Sequence, residues 1–166
     1  MSGCNMRIYL IGMPGSGKST LGKELASKIN YEFIDMDNYI EKKACMFIEE
    51  IFDAYGEDYF RELERNTLKE FLNLDNVIIS TGGGIIKNKA NKELMNGKTI
   101  FLNVDLDELQ KRCDNSSTVR PLLQVKTIKE LYNERKDLYD YFKDFEVDNM
   151  DIDKALNDIL EELKND

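Results

Sequence analysis

Apolar residues fall in short runs and helical stripes that alternate along the chain. Arg7 to Gly12 is a short, mostly apolar run that predicts a strand, and beyond Lys18 the residues Leu21, Leu25 and Ile29 recur at helical spacing. Tyr31 to Asp35 predicts a second strand. A helical stretch follows from about Asn38 through Phe52, and after Gly56 a longer helix runs to about Leu74. Val77 to Ser80 is continuously apolar and ends in Thr81-Gly82-Gly83-Gly84, the pattern of a buried parallel strand feeding a glycine turn. Thr99 to Val104 predicts the next strand. Asp105 and Glu108 have the spacing of a capping box that opens a helix through about Cys113, and polar Asp114 to Thr118 interrupts it. Ile128, Leu131, Tyr132, Leu138, Tyr139 and Phe142 share one side of a further helix. Phe145 to Val147 reads as an edge strand, and Ile152, Leu156, Ile159, Leu160 and Leu163 make a closing amphipathic helix. Strand and helix thus alternate five times, which implies an α/β domain: a five-stranded parallel sheet with helices on both faces.

Composition narrows the classes open to such a fold. With 166 residues, 42% of them hydrophobic, the chain can form one continuous core without disulfides or structural metal. The net charge of −9 argues against a surface that neutralises nucleic acid or an anionic membrane, so a bound anion must be held by local chemistry. Cys4, Cys45 and Cys113 form no CxxC pair, which points to a reduced, cytoplasmic setting. No apolar run approaches the roughly 20 residues of a membrane span, and the first residues lack the pattern of a signal peptide. Histidine is absent, so Ser-His and Cys-His triads are excluded and acid–base work falls to carboxylates, lysine or water.

The most specific motif is Gly12-Met13-Pro14-Gly15-Ser16-Gly17-Lys18-Ser19, which fits GxxxxGK[ST] between a predicted strand and a predicted helix. Glycines let backbone N–H groups close around phosphate oxygens, and the helix N-terminus adds positive potential. Gly15, Ser16, Gly17, Lys18, Ser19 and Thr20 are therefore candidate nucleotide-binding residues. Lys18 would reach the β- and γ-phosphates, and Ser19 would ligate Mg²⁺. The guanine-reading NKxD element is missing, because Asn88-Lys89-Ala90 is followed by Asn91, so a GTPase is not expected. Asp105 could be taken for the aspartate of a Walker B strand, but its capping position is the better reading.

Five ordered motifs between Ile8 and Tyr139 resemble those of shikimate kinases: the phosphate loop, Phe33-Ile34-Asp35-Met36-Asp37, Phe52 with Gly56-Glu57, Phe60-Arg61 and Glu64, the triple glycine at 82–84, and Arg120-Pro121-Leu122-Leu123 with Asn133-Glu134-Arg135 and Leu138-Tyr139. The resemblance implies a three-layer P-loop fold with a helical substrate-binding insert at about 38–63 and a lid at about 114–123. It implies ATP-dependent phosphorylation of shikimate at its 3-hydroxyl, with Mg²⁺ as cofactor, ATP and shikimate as partners, and a monomer. In the family the arginine matching Arg61 grips the substrate carboxylate, with Glu64 holding it, and the lid arginine matching Arg120 reaches the transferring phosphoryl group. Asp35 and Asp37, two apart on an extended segment, would face the same way, one toward Mg²⁺ and one toward a substrate hydroxyl; read alone, the pair fits a helix cap and a solvated charge. Arg135 falls on the apolar side of its helix, where a charge either snorkels outward or forks onto a carboxylate. Gly82, Gly83 and Gly84 clear side chains from a strand's C-terminal end, where open α/β sheets bind ligands.

One departure stands out. Seven residues before the RPLL arginine the family often has an arginine over the adenine, and here that position is Cys113, with Arg112 one step early. One helical step turns a side chain by about 100°, so Arg112 takes over only if the helix end frays or the lid carries an inserted residue. The expectation is that it does. Rival readings are a gluconate or nucleoside monophosphate kinase, against which the paired arginines and triple glycine weigh, and a nucleotide-binding regulator without turnover, against which intact Lys18, Ser19, Asp35, Asp37 and Arg120 weigh.

Overall fold

The structure is a computed structural model and describes residues 6–115 and 126–165. Its strands are β1 (Arg7–Ile11), β2 (Glu32–Asp35), β3 (Val77–Ser80), β4 (Lys98–Asn103) and β5 (Phe145–Asp148). Its helices are α1 (Lys18–Ile29), α2 (Met36–Ala44), α3 (Ile48–Tyr55), α4 (Glu57–Phe71), α5 (Asn91–Leu94), α6 (Leu106–Asp114), α7 (Ile128–Phe142) and α8 (Ile152–Lys164). The strands form one parallel sheet in the order β2-β3-β1-β4-β5, as the alternation implies.

β1 takes the centre because both its faces are apolar. Ile8 and Leu10 join Ile78, Ile100 and Leu102 against Leu21 and Leu25 of α1 and Leu156 and Ile159 of α8. Tyr9 and Ile11 face the other way, toward a second core with Ile79, Phe101, Phe60 and Leu68 of α4, and Leu131 and Tyr139 of α7. Tyr139 stacks on Phe101 with ring centres 4.5 Å apart. Period-two alternation on one strand thus divides the interior into two layers. The chain leaves β1 toward β2 on one side and later returns to β4 on the other, which opens a crevice at the C-terminal strand ends.

Where one helix is expected over 38–52, the structure has two. Cys45 adopts a left-handed backbone (φ 55°) and ends α2. The N–H groups freed at the restart are met by carboxylates: Glu50 accepts from the Phe47 N–H (2.9 Å) and Glu41 from the Ile48 N–H (2.9 Å). Asp105 does precede α6, but its side chain makes no capping hydrogen bond, so the capping box read from its spacing is absent. Among the described residues it is the backbone carbonyl of Asp105 that engages, accepting from the Leu109 N–H. Beyond Asn115 the expected lid, with Arg120, lies outside the described residues.

Candidate active site

A cleft of about 1120 Å³ opens at the C-terminal ends of β1, β2 and β3 and is lined by both ends of the expected constellation, from Lys18 and Ser19 to Arg61 and Arg135. At the nucleotide end the loop turns through Gly15 (φ 82°) and Gly17 (φ 90°), left-handed conformations that favour glycine, before α1 begins at Lys18. The Lys18 ammonium donates to the carbonyls of Gly12 (2.9 Å) and Met13 (3.1 Å), arched over the loop it would share with phosphate. Ser19 Oγ donates to Asp35 Oδ2 (2.7 Å) and stands 3.3 Å from Ser80 Oγ. Two hydroxyls and one carboxylate at a helix N-terminus are hard oxygen donors. This set suits Mg²⁺, which is usually held by one or two carboxylates together with substrate phosphates and water.

The two aspartates arrive by a different route from the expected one. Asp35 ends β2 and caps α2, accepting from the Asn38 N–H (3.2 Å), whereas Asp37 sits in the first turn of that helix and not on an extended segment. Both nevertheless line the cleft, because α2 starts immediately at the strand end. Asp37 Oδ1 is buried with no hydrogen-bond partner among the described residues. Burial, reinforced by the neighbouring Asp35 charge, raises its pKa to about 6.

Glu64 belongs to the buried stripe Phe60, Glu64, Thr67, Leu68 and Phe71 of α4, a position where a carboxylate demands a partner. It has one: Arg61 donates to Oε1 at 2.7 Å and also engages Glu57 Oε2 through Nε and Nη2. The arginine is thereby held from two sides, over the rings of Phe52 and Phe60. Arg135 interrupts the α7 stripe in the same way and is only 3% exposed, so it does not snorkel. One guanidinium nitrogen donates to the Gly83 carbonyl (2.9 Å). The glycine turn is where these groups meet. A Cβ at Gly82 would come within 2.8 Å of Asp37 Oδ1 and 2.9 Å of Glu64 Oε2, and one at Gly84 would overlap the Arg61 guanidinium.

Burial dominates at Glu64 and raises its pKa to about 7, against the opposing pull of Arg61 and Arg135. A carboxyl that binds its proton more tightly when folded stabilises most below its unfolded pKa, and that contribution disappears as pH rises through the folded one. Between about pH 4.5 and 7 the unaltered chain should therefore lose on the order of 1–3 kcal/mol relative to Glu64→Gln. Urea denaturation of both proteins at pH 5, 6.5 and 8 measures this difference. A constant gap across the three values would contradict the burial argument.

Arg112 and Cys113 both face the phosphate loop. α6 continues without fraying through Asp114, and Arg112 donates to the carbonyls of Gly15 (3.2 Å) and Asn149 (2.9 Å) while Glu108 accepts from its Nε (2.9 Å). Cys113 Sγ lies 3.5 Å from the Pro14 carbonyl oxygen. Sequence reasoning missed Ser80, Thr81 and Asn149. Ser80 and Thr81 carry a signal, two hydroxyls closing an otherwise apolar strand, and Thr81 Oγ1 ties the glycine turn to the Leu10 carbonyl (2.8 Å). Asn149, in a short polar loop, carries none.

The shikimate kinase family model matches residues 14–164. A shikimate kinase of Clostridium botulinum (strain Alaska E43) is 41% identical over 162 residues, covering 95% of this chain and 94% of its own. One from Sulfurihydrogenibium is 46% identical over 136 residues, covering 80% and 81%. Among solved structures, Acinetobacter baumannii shikimate kinase in complex with shikimate superposes with a TM-score of 0.90 at 29% identity, covering 98% of this chain and 94% of that one. With a family model spanning residues 14–164 and relatives above 40% identity covering four fifths or more of it, the chain belongs to the shikimate kinase family.

Proposed function

We propose that the chain transfers the γ-phosphoryl group of ATP to the 3-hydroxyl of shikimate, giving shikimate 3-phosphate and ADP, a step toward the aromatic amino acids. The observation that carries this reading is convergence: Arg61, Arg135 and Asp37 gather around the 82–84 turn in the same cleft as Lys18 and Ser19. The acceptor end offers two guanidinium groups for a carboxylate and one buried carboxylate for a hydroxyl. The A. baumannii relative solved with shikimate supports the same choice of acceptor.

In this reading Lys18 exchanges the Gly12 and Met13 carbonyls for β- and γ-phosphate oxygens, beside the N–H groups of Gly15 to Thr20. Ser19 and Asp35 would hold Mg²⁺, which would supply positive charge against that of the phosphates. Asp37 orients the attacking hydroxyl and takes its proton late in the transfer. Gly82 to Gly84 bring backbone against the ring, which the arginines fix so that one hydroxyl lines up; such positioning supplies on the order of 7–11 kcal/mol of barrier reduction. Arg120, outside the described residues, is assigned to the phosphoryl group from a lid at about 114–123 that excludes water. Arg112 is assigned to the adenine, and the helices over 38–63 form the substrate-binding insert. The working form is a cytoplasmic monomer.

A coupled assay of ADP release with shikimate, gluconate, AMP or no acceptor tests the proposal, and turnover with either alternative at rates matching shikimate would overturn it. Within it, Arg61→Ala and Arg135→Ala should each raise the KM for shikimate by roughly 10–150-fold, the equivalent of about 1.5–3 kcal/mol for a lost hydrogen bond to a charged group. The KM for ATP should move far less. Equal changes in both constants would place these arginines elsewhere.

A further inference from the structure

The carbonyls on the outer edge of the phosphate loop are taken by side-chain donors from outside the loop. Asn149 lies between β5 and α8, is 4% exposed, and is fixed at three points. Its N–H donates to the Asn103 carbonyl (2.8 Å), which carries the β4–β5 pairing one residue further. Its own carbonyl accepts from Arg112 (2.9 Å). Its carboxamide Nδ2 donates to the Ser16 carbonyl (2.7 Å), 133 positions away along the sequence. Arg112 takes the adjacent carbonyl, that of Gly15 (3.2 Å), and is itself steadied by Glu108.

The contact is tight enough to constrain the loop sequence. A Cβ built on Gly17 would stand 2.5 Å from Asn149 Nδ2, so the glycine that supplies the left-handed turn also makes room for the amide. Asn149 Oδ1 is buried without a partner among the described residues, so the side chain is used for its donor end alone. A peptide unit is planar, with its N–H and C=O on opposite sides. Holding the Ser16 carbonyl outward therefore turns the Gly17 N–H inward, into the space where phosphate oxygens would sit.

We infer that Asn149 is a positioning residue for phosphate binding: by anchoring the Ser16–Gly17 peptide to the end of β5, it presets the loop for the polyphosphate before nucleotide arrives. The inference rests on the nucleotide-binding part of the proposed function and is independent of the acceptor. It differs from a base contact in what it predicts for a ligand with no base.

The test uses inorganic tripolyphosphate with Mg²⁺ as probe, alongside Mg-ATP, on the full chain by titration calorimetry, with thermal melts to confirm folding. Asn149→Ala should weaken both ligands by a similar factor, roughly 2–13-fold for one neutral hydrogen bond, and leave the KM for shikimate nearly unchanged. Asn149→Asp keeps the size but sets a carboxylate oxygen against the Ser16 carbonyl, and should weaken both ligands at least as much; it also serves where the alanine variant does not fold. Unchanged tripolyphosphate affinity in a folded variant overturns the inference, whether ATP affinity falls, which would mean a base contact, or only the melting temperature falls, which would mean a purely structural amide. If the unaltered chain does not bind tripolyphosphate, the phosphate-loop reading fails, and this inference with it.

Discussion

Lys18→Ala is expected to reduce phosphoryl transfer by at least about 10²–10³-fold, the cost of one preorganised donor at a developing charge, with little change in the thermal melt. The structure gives the second half of that expectation. Lys18 is partly buried and its ammonium bonds to loop carbonyls and, at 3.5 Å, to Ser16 Oγ. Lys18 lines the open cleft and is only half-buried, so its removal opens space toward the cleft. The first half rests on the triphosphate: a fixed positive charge between the β- and γ-phosphates is worth most when charge redistributes in the transition state. Initial rates with saturating substrates, paired with a melting curve, decide the matter. A folded variant that keeps near-normal kcat would mean that the lysine serves the loop and not the reaction.

Asp37→Asn should lower kcat on the order of 10²–10⁴-fold, the usual contribution of a positioned acid or base, while leaving ATP affinity almost untouched. The substitution preserves size and keeps one oxygen that can still align a hydroxyl. It removes the ability to accept a proton and the negative charge that Lys18 and Arg61 sense across the cleft. Asp37 Oδ1 is buried without a partner among the described residues, beside Gly82, a costly arrangement that the helix does not require for its cap, because Asp35 already supplies that. Such a group is explained by a ligand hydroxyl. Single-turnover kinetics with bound ATP separate the chemical step from binding, and an unaltered rate constant would remove Asp37 from the mechanism.

The sheet and the phosphate loop were legible because they rest on local rules: apolar runs for buried strands, and a glycine pattern whose chemistry fixes its spacing. The strands fall within a residue or two of their expected limits, and β3 falls on them. Arg135 was legible for a related reason, as a charge on a stripe that packing would otherwise fill with apolar groups, whereas Glu64 was legible only through the family resemblance and its burial was not foreseen. The break at Cys45 was not, since a non-glycine residue in a left-handed turn gives no compositional warning, and the carboxylates that secure the restart, Glu41 and Glu50, look like ordinary surface charges. The geometry of Asp35 and Asp37 was misjudged because α2 begins directly at the strand end, so the period of two gives way to a helical one between them. Asn149 was invisible because its meaning lies in contacts with residues far from it in sequence, above all Ser16, 133 positions away.

The central position of β1 has a consequence for how the protein is made. Its partners are far downstream: Arg7 pairs with Val77, and Ile8 with both Ile78 and Lys98. A nascent chain that has emerged only through α4 holds the complete phosphate-loop sequence but neither of the strands that flank β1. Closing such long loops costs entropy before any contact repays it. Ribosome-released fragments ending before β4 should therefore show no protection of residues 7–19 from hydrogen exchange, and nucleotide binding should appear late in synthesis, only after the sheet has closed on both sides of its first strand.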